Sequence, residues 1–137
     1  MTAGYVEQQL EERLPTAREK RLIDLSFGEE ATDQAVRALT DGLDLDTANQ
    51  NFLLMLSCLG FRNGWQGFPP EMIPRLKGVH RYHQASISVG IPWLVRQIRA
   101  LTDGGIPVML LKGVAMRAYY APERPRIMYD YDLAVPE

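Results

Sequence analysis

Apolar residues recur at three- and four-residue steps along most of the chain and give way to short unbroken runs near its end. Residues 5–14 read as a weakly amphipathic helix stopped before Pro15. A second helix is expected over about 16–27, with Leu22, Ile23 and Leu25 apolar and Gly28 as its stop. A third covers 31–39, with Ala35, Val36 and Leu39 at helical spacing, and ends at Asp41-Gly42. Asp46 has the chemistry of an N-cap for a fourth helix that runs through Leu59-Gly60. The second half of that helix is apolar on nearly every side, the mark of a helix at the centre of a bundle.

Residues 61–70 hold Asn63-Gly64, Gly67 and Pro69-Pro70, so they form a loop whose Trp65 and Phe68 fold back onto the core. From 71 to 103 the helical period returns, with Leu76, Val79, His83, Ile87, Ile91, Leu94, Ile98 and Leu101 on one side. Pro74 falls in the first turn, where its missing N–H costs nothing. Gly90 and Pro92 predict a kink or break near 88–91. His80 and His83 share a face, but no carboxylate or third ligand stands near them, so they read as semi-buried structural residues.

After Asp103-Gly104-Gly105 the run Ile106-Pro107-Val108-Met109-Leu110-Leu111 reads as a buried strand. Lys112-Gly113 is a turn, residues 114–120 allow two helical turns, 121–126 is a loop, and 127–135 has strand character despite its two acids.

Composition narrows the class. The 137 residues are 46% hydrophobic, enough to bury the core of one globular domain. The longest stretch without Asp, Glu, Lys or Arg is the 15 residues 47–61, short of the about 20 a spanning helix needs, so no membrane span is expected. The first residues lack the basic start and apolar run of a signal peptide, which with the rest predicts a cytoplasmic protein. The single cysteine, Cys58, excludes an internal disulfide and reads as a buried small hydrophobe. A net charge of −2 hides a split: residues 1–50 sum to −6 and residues 51–137 to +4. The basic residues Arg62, Arg75, Lys77, Arg81, Arg96 and Arg99 do not form one helical stripe, and only Arg81-Tyr82 sets an aromatic beside a base in the helix, so nucleic-acid binding is disfavoured.

The chemistry concentrates between 110 and 135. In a strand, Asp130 and Asp132 project from the same face. Two adjacent carboxylates within Ile127-Met128-Tyr129 and Leu133-Ala134-Val135 repel and lose hydration unless they sit at an exposed strand end. A divalent cation would offset both costs, and oxygen ligands suit Mg²⁺ or Mn²⁺. Upstream, a strand entering Lys112-Gly113 and a short helix offers backbone N–H groups, one cation and a glycine that admits a phosphate close to the chain. Together the two features describe a site for a metal-bound nucleoside triphosphate.

On these residues the chain resembles the nucleotidyltransferase superfamily with a DNA polymerase β-like fold. It is most similar to an uncharacterised bacterial branch patterned Leu-Lys-Gly, a short helix with a tyrosine, then Arg-x-x-x-Asp-x-Asp-Leu-x-Val. Leu111-Lys112-Gly113, Tyr119 or Tyr120, Arg126, Asp130, Asp132, Leu133 and Val135 meet that pattern, and Gly105-Ile106-Pro107-Val108 matches the end of the family's preceding helical region. The likeness covers about residues 104–136; upstream only the helical character agrees.

The resemblance implies metal-dependent transfer of a nucleoside monophosphate from an NTP to an acceptor, a small molecule or a protein or peptide. It implies that Asp130 and Asp132 are catalytic and hold the metals, and that Lys112 and Gly113 steady the phosphates. Arg126 either neutralises triphosphate charge or pairs with an aspartate. Two departures stand out. Many members carry a phosphate-binding serine after the turn glycine, where this chain has Val114. The superfamily also completes its metal site with a third carboxylate on a later strand, for which Glu137 lies too near Asp132 in sequence. The expectation is therefore a mostly α chain: a helical bundle over 1–103, followed over 104–137 by the first strand-turn-helix-strand of an incomplete α/β nucleotidyltransferase sheet. Its free edge would pair with missing sequence, a second copy or a partner chain. The competing expectation is a helical protein-interaction module with an inactive nucleotidyltransferase remnant.

Overall fold

Thr16 and Glu19 begin the first helix by exchanging hydrogen bonds. The Thr16 N–H and hydroxyl donate to Glu19 Oε2 at 2.8 and 2.9 Å, and the Glu19 N–H donates to Thr16 Oγ1 at 3.2 Å. This reciprocal cap satisfies donors that a helix end leaves unpaired. The bonds from Thr16 hold the Glu19 carboxyl below its ordinary 4.5. In the computed structural model, which describes residues 14–27, 30–116, 119 and 130–136, helix α1 then spans Ala17–Phe27. The expected helix over 5–14 and the Gly28 stop lie outside the described residues.

Helix α2 spans Asp33–Thr40, capped by Thr32, whose hydroxyl accepts from the Ala35 N–H. Helix α3 spans Gln50–Arg62 and is capped by Asn49, not by Asp46 as expected. The Asn49 side-chain oxygen accepts the Phe52 N–H at 2.8 Å, while its amide donates to Glu19, tying the starts of α1 and α3 together. Asp46 is used elsewhere: its N–H donates to the Asp44 carboxylate and its own carboxylate pairs with Arg75. Asp44, Asp46 and Asn49 can all cap a helix, and packing selected the last.

Helix α3 lies at the centre, as its all-round apolar pattern predicts, burying Phe52, Leu53, Leu54, Leu56, Leu59 and Gly60. Leu22 and Leu25 of α1, Val36 and Leu39 of α2, Leu45, Phe68 and Leu76 complete one core cluster with it. Cys58 is only half-buried, since the core-facing positions around it belong to Leu56 and Leu59. Trp65 and Phe68 return to the core from the loop after α3, edge to face at 5.4 Å. Gly60 makes room: a Cβ there would stand 2.3 Å from the Trp65 ring. Arg62 closes the last turn of α1 by donating to the Leu25 and Ser26 carbonyls.

Helix α4 runs unbroken over Ile73–Asp103, with a proline in its first turn and Pro92 inside. Of the kink or break expected near 88–91, the break is absent. Leu76, His80, His83, Ile87 and Leu94 are buried along one face on both sides of Pro92, and that shared packing outweighs one lost backbone bond. The helix ends in a left-handed glycine cap: Gly105 has φ +79°, its N–H donates to the Thr102 carbonyl, and the Ile106 N–H donates to the Leu101 carbonyl.

Among the described residues the strands are shorter than the apolar runs suggested, and residues 127–129 of the second run lie outside them. β1 is Met109–Leu110 and β2 is Leu133–Ala134, paired antiparallel with Met109 opposite Ala134 and Leu110 opposite Leu133. Between them, helix α5 spans Lys112–Met116. The expectation of a buried first strand fails, since Met109 is 61% and Leu110 39% exposed. Two residues facing a single partner strand cannot cover each other, and neither belongs to the core cluster. The described chain is thus mostly α with one small antiparallel sheet, and no helix in it is long and apolar enough to cross a membrane.

The two histidines sit inside, as structural residues. His80 stacks at 4.2 Å on Phe61, and His83 meets Tyr82 edge-on. Buried His83 Nε2 has no hydrogen-bond partner, and burial, then the neighbouring His80, lowers the His83 pKa below 6.5. An unfolded chain binds this proton more readily than the folded one, so stability is complete above pH 6.5 and falls as pH drops toward the folded pKa. Thermal melts between about pH 8 and about pH 5 should show that loss. His83→Leu should flatten it, and an unaltered slope in the variant would assign it to other groups.

Candidate functional site

The ladder between β1 and β2 continues one step beyond the strands, where the Leu111 N–H donates to the Asp132 carbonyl at 3.0 Å. That bond carries the next residue, Lys112, to the acid segment. Lys112 turns the chain from β1 into α5 with φ +49°, a left-handed conformation that costs a non-glycine residue about 1 kcal/mol or more. The result is an ion pair, Lys112 Nζ to Asp132 Oδ2 at 3.1 Å. The lysine side chain is 72% exposed and that of Asp132 31%, so the pair is a surface contact worth less than about 1 kcal/mol. Its interest is chemical: a cation and an acid singled out from separate motifs are in direct contact.

Asp130 is exposed at the start of the same segment, and Gly113 is half-buried as the second residue of α5. The helix begins at Lys112 itself, where a turn was expected, and Val114 is buried beneath it. Over its five described residues α5 has only a weak dipole, and the charged side chain at its start is that of Lys112. Tyr119 is exposed, whereas Tyr120 and Arg126 lie outside the described residues.

Among the described residues no group of three or more His, Cys, Asp or Glu side chains is placed to hold a metal ion. Asp130 and Asp132 are therefore two donors without a described third. That set fits Mg²⁺ arriving with a triphosphate, since Mg²⁺ usually keeps waters and takes one or two carboxylates beside substrate phosphates.

Three of the basic residues weighed for nucleic-acid binding have structural partners. Arg62 caps α1, Arg75 bonds the Leu45 carbonyl and Asp46, and Lys77 lies 5.4 Å over the Trp65 ring. One residue bearing on the site lies outside the expected set. Tyr131, between the two acids, stands against α4 at Gly90 and Trp93. A glycine in the middle of a long helix is the available signal, which the sequence pattern assigns to a kink or break. No family model, no characterised protein and no solved structure matches the chain.

Proposed function

We propose that the segment from β1 to β2 binds a metal-bound nucleoside triphosphate and serves transfer of its nucleoside monophosphate to an acceptor. The observation that carries this reading is the contact between Lys112 and Asp132, which unites the phosphate-binding turn with the acid pair. Asp130 and Asp132 would hold Mg²⁺ or Mn²⁺, which when bound supplies charge neutralisation at the triphosphate and activates the attacking oxygen. Lys112, largely exposed, exchanges Asp132 for a phosphate oxygen, and the backbone at Gly113 accepts a phosphate without a side chain in the way. The acceptor hydroxyl gives its proton to water and its oxygen bonds to the α-phosphorus, as the bond from that phosphorus to the bridging oxygen breaks and pyrophosphate leaves. Arg126 is placed in this site by the sequence pattern alone.

Calorimetric titration of the 137-residue chain with Mg²⁺ and each of the four NTPs tests the reading. Asp130→Ala with Asp132→Ala should weaken metal-dependent NTP binding by about tenfold to a hundredfold. Unchanged binding in the double variant sinks it.

A second reading has its own support. Val89, Trp93, Met109 and Met116 are exposed, and Asp132 already has a cation in Lys112. Exposed apolar groups of this kind suit a partner-binding module in which the acid pair no longer takes metal. Stable capture of a partner protein that is indifferent to nucleotide and to the double variant would favour it.

A further inference from the structure

Glycine in a helix interior is about 1 kcal/mol less favourable than alanine, so Gly90 in the middle of α4 calls for a reason. Tyr131 supplies one. A Cβ built on Gly90 would stand 1.8 Å from the Tyr131 hydroxyl oxygen and 2.9 Å from its Cζ, so the phenol end lies on bare helix backbone. The same ring lies against Trp93, with centroids 6.4 Å apart and planes tilted by 35°. Tyr131 is also the residue between Asp130 and Asp132, and the Asp132 carbonyl is held on the ladder by Leu111. Neighbouring side chains in extended backbone point to opposite sides, and a slip by one residue would exchange them.

We propose that Gly90 and Tyr131 are positioning residues: the tyrosine seated on the glycine sets the roll of the segment, so that Asp130 and Asp132 face away from α4 together, on the Lys112 side. The cation that this acid pair takes rests on the function proposed above; the seat itself does not. Gly90→Ala fills the seat. Tyr131→Phe removes the nearer colliding atom and leaves Cζ at 2.9 Å, so the two changes together should compensate each other in part.

The test uses the full chain as wild type, Gly90→Ala, Tyr131→Phe and the double variant. Two readouts are followed: hydrogen exchange at the Leu111 amide, and binding of Mn²⁺ alone by electron paramagnetic resonance. Gly90→Ala should speed Leu111 exchange and weaken Mn²⁺ binding, each by about tenfold, while amides in α3 keep their protection. Tyr131→Phe alone should stay near wild type, and the double variant should recover part of the lost exchange protection and Mn²⁺ binding. Unaltered Leu111 exchange in Gly90→Ala, or a double variant no better than Gly90→Ala, overturns the seat. Wild-type Mn²⁺ affinity in a Gly90→Ala chain whose Leu111 amide has lost protection overturns the positioning role. A wild-type chain that binds no Mn²⁺ overturns the proposed function and the cation half of this proposal, and Leu111 exchange then decides the seat on its own.

Discussion

Leu56→Ala is expected to cost about 2–5 kcal/mol and lower the melting temperature by about 10 °C or more. Leu56 has no exposed surface and stands midway along α3, the helix that α1 and α4 both pack against. Truncating it removes methyl groups from water exclusion and leaves a cavity between elements that cannot all close inward together. A domain's whole stability is about 5–15 kcal/mol, so this one change consumes a large share of it. Urea or thermal unfolding followed by circular dichroism measures the loss. A cost below about 1 kcal/mol would mean that the helices around α3 repack freely and that it is not the centre of the bundle. Cys58→Ala two residues on is the internal control: its side chain is half-buried, and its truncation should cost clearly less.

Gly67→Ala should be the most damaging change in the loops. Gly67 has φ +76°, where a Cβ costs about 1–2 kcal/mol by itself. That Cβ would also meet the Asp33 carbonyl oxygen at 2.6 Å and the Asp33 Cα at 2.8 Å, both backbone atoms at the start of α2 that cannot swing aside. The collision pushes away the loop that carries Trp65 and buried Phe68 onto the core. Gly42→Ala separates the two costs, because Gly42 has φ +59° with nothing within 4 Å of the added Cβ. Unfolding measurements should place Gly67→Ala below Gly42→Ala by at least about 1 kcal/mol. Equal losses would show that only the backbone conformation matters and that loop and α2 are not in firm contact.

The outer helices were legible because each buries one stripe, which leaves a period in the sequence, and α3 because it is apolar on nearly every side. Leu22 and Leu25, Val36 and Leu39, and Leu76, His83, Ile87 and Leu94 stand at the positions that the three- and four-residue steps select. Boundaries were legible only where one residue could supply the cap. Around the start of α3 several could, and the hydrogen bond from Asn49 to Glu19, 30 residues away, decided among them. The apolar run at 106–111 misled for a related reason. It has the composition of a buried strand, but burial depends on what covers it, and the composition of one segment carries no information about that.

The candidate site divides the same way. Which residues could carry its chemistry, Lys112, Gly113, Asp130 and Asp132, is a proposal that rests on residue type and spacing. Their meeting could not be read there: it depends on a left-handed backbone at Lys112 and on the pairing of Leu111 with Asp132. Gly90 shows the limit most plainly. By itself a glycine before a proline is a weak point in a helix, and only the ring of Tyr131, 41 residues later, makes it a surface to pack on.

The sequence by itself therefore determined the mostly helical class, the central helix and the chemical identity of the candidate groups, because those depend on local periodicity and on side-chain type. Only the tertiary structure decided which caps are used, that α4 passes through Pro92, that the strands are two residues long, and that lysine and aspartate touch. Each of those outcomes is settled by contacts between segments far apart in the chain, whose energies exceed the local preferences that the sequence displays.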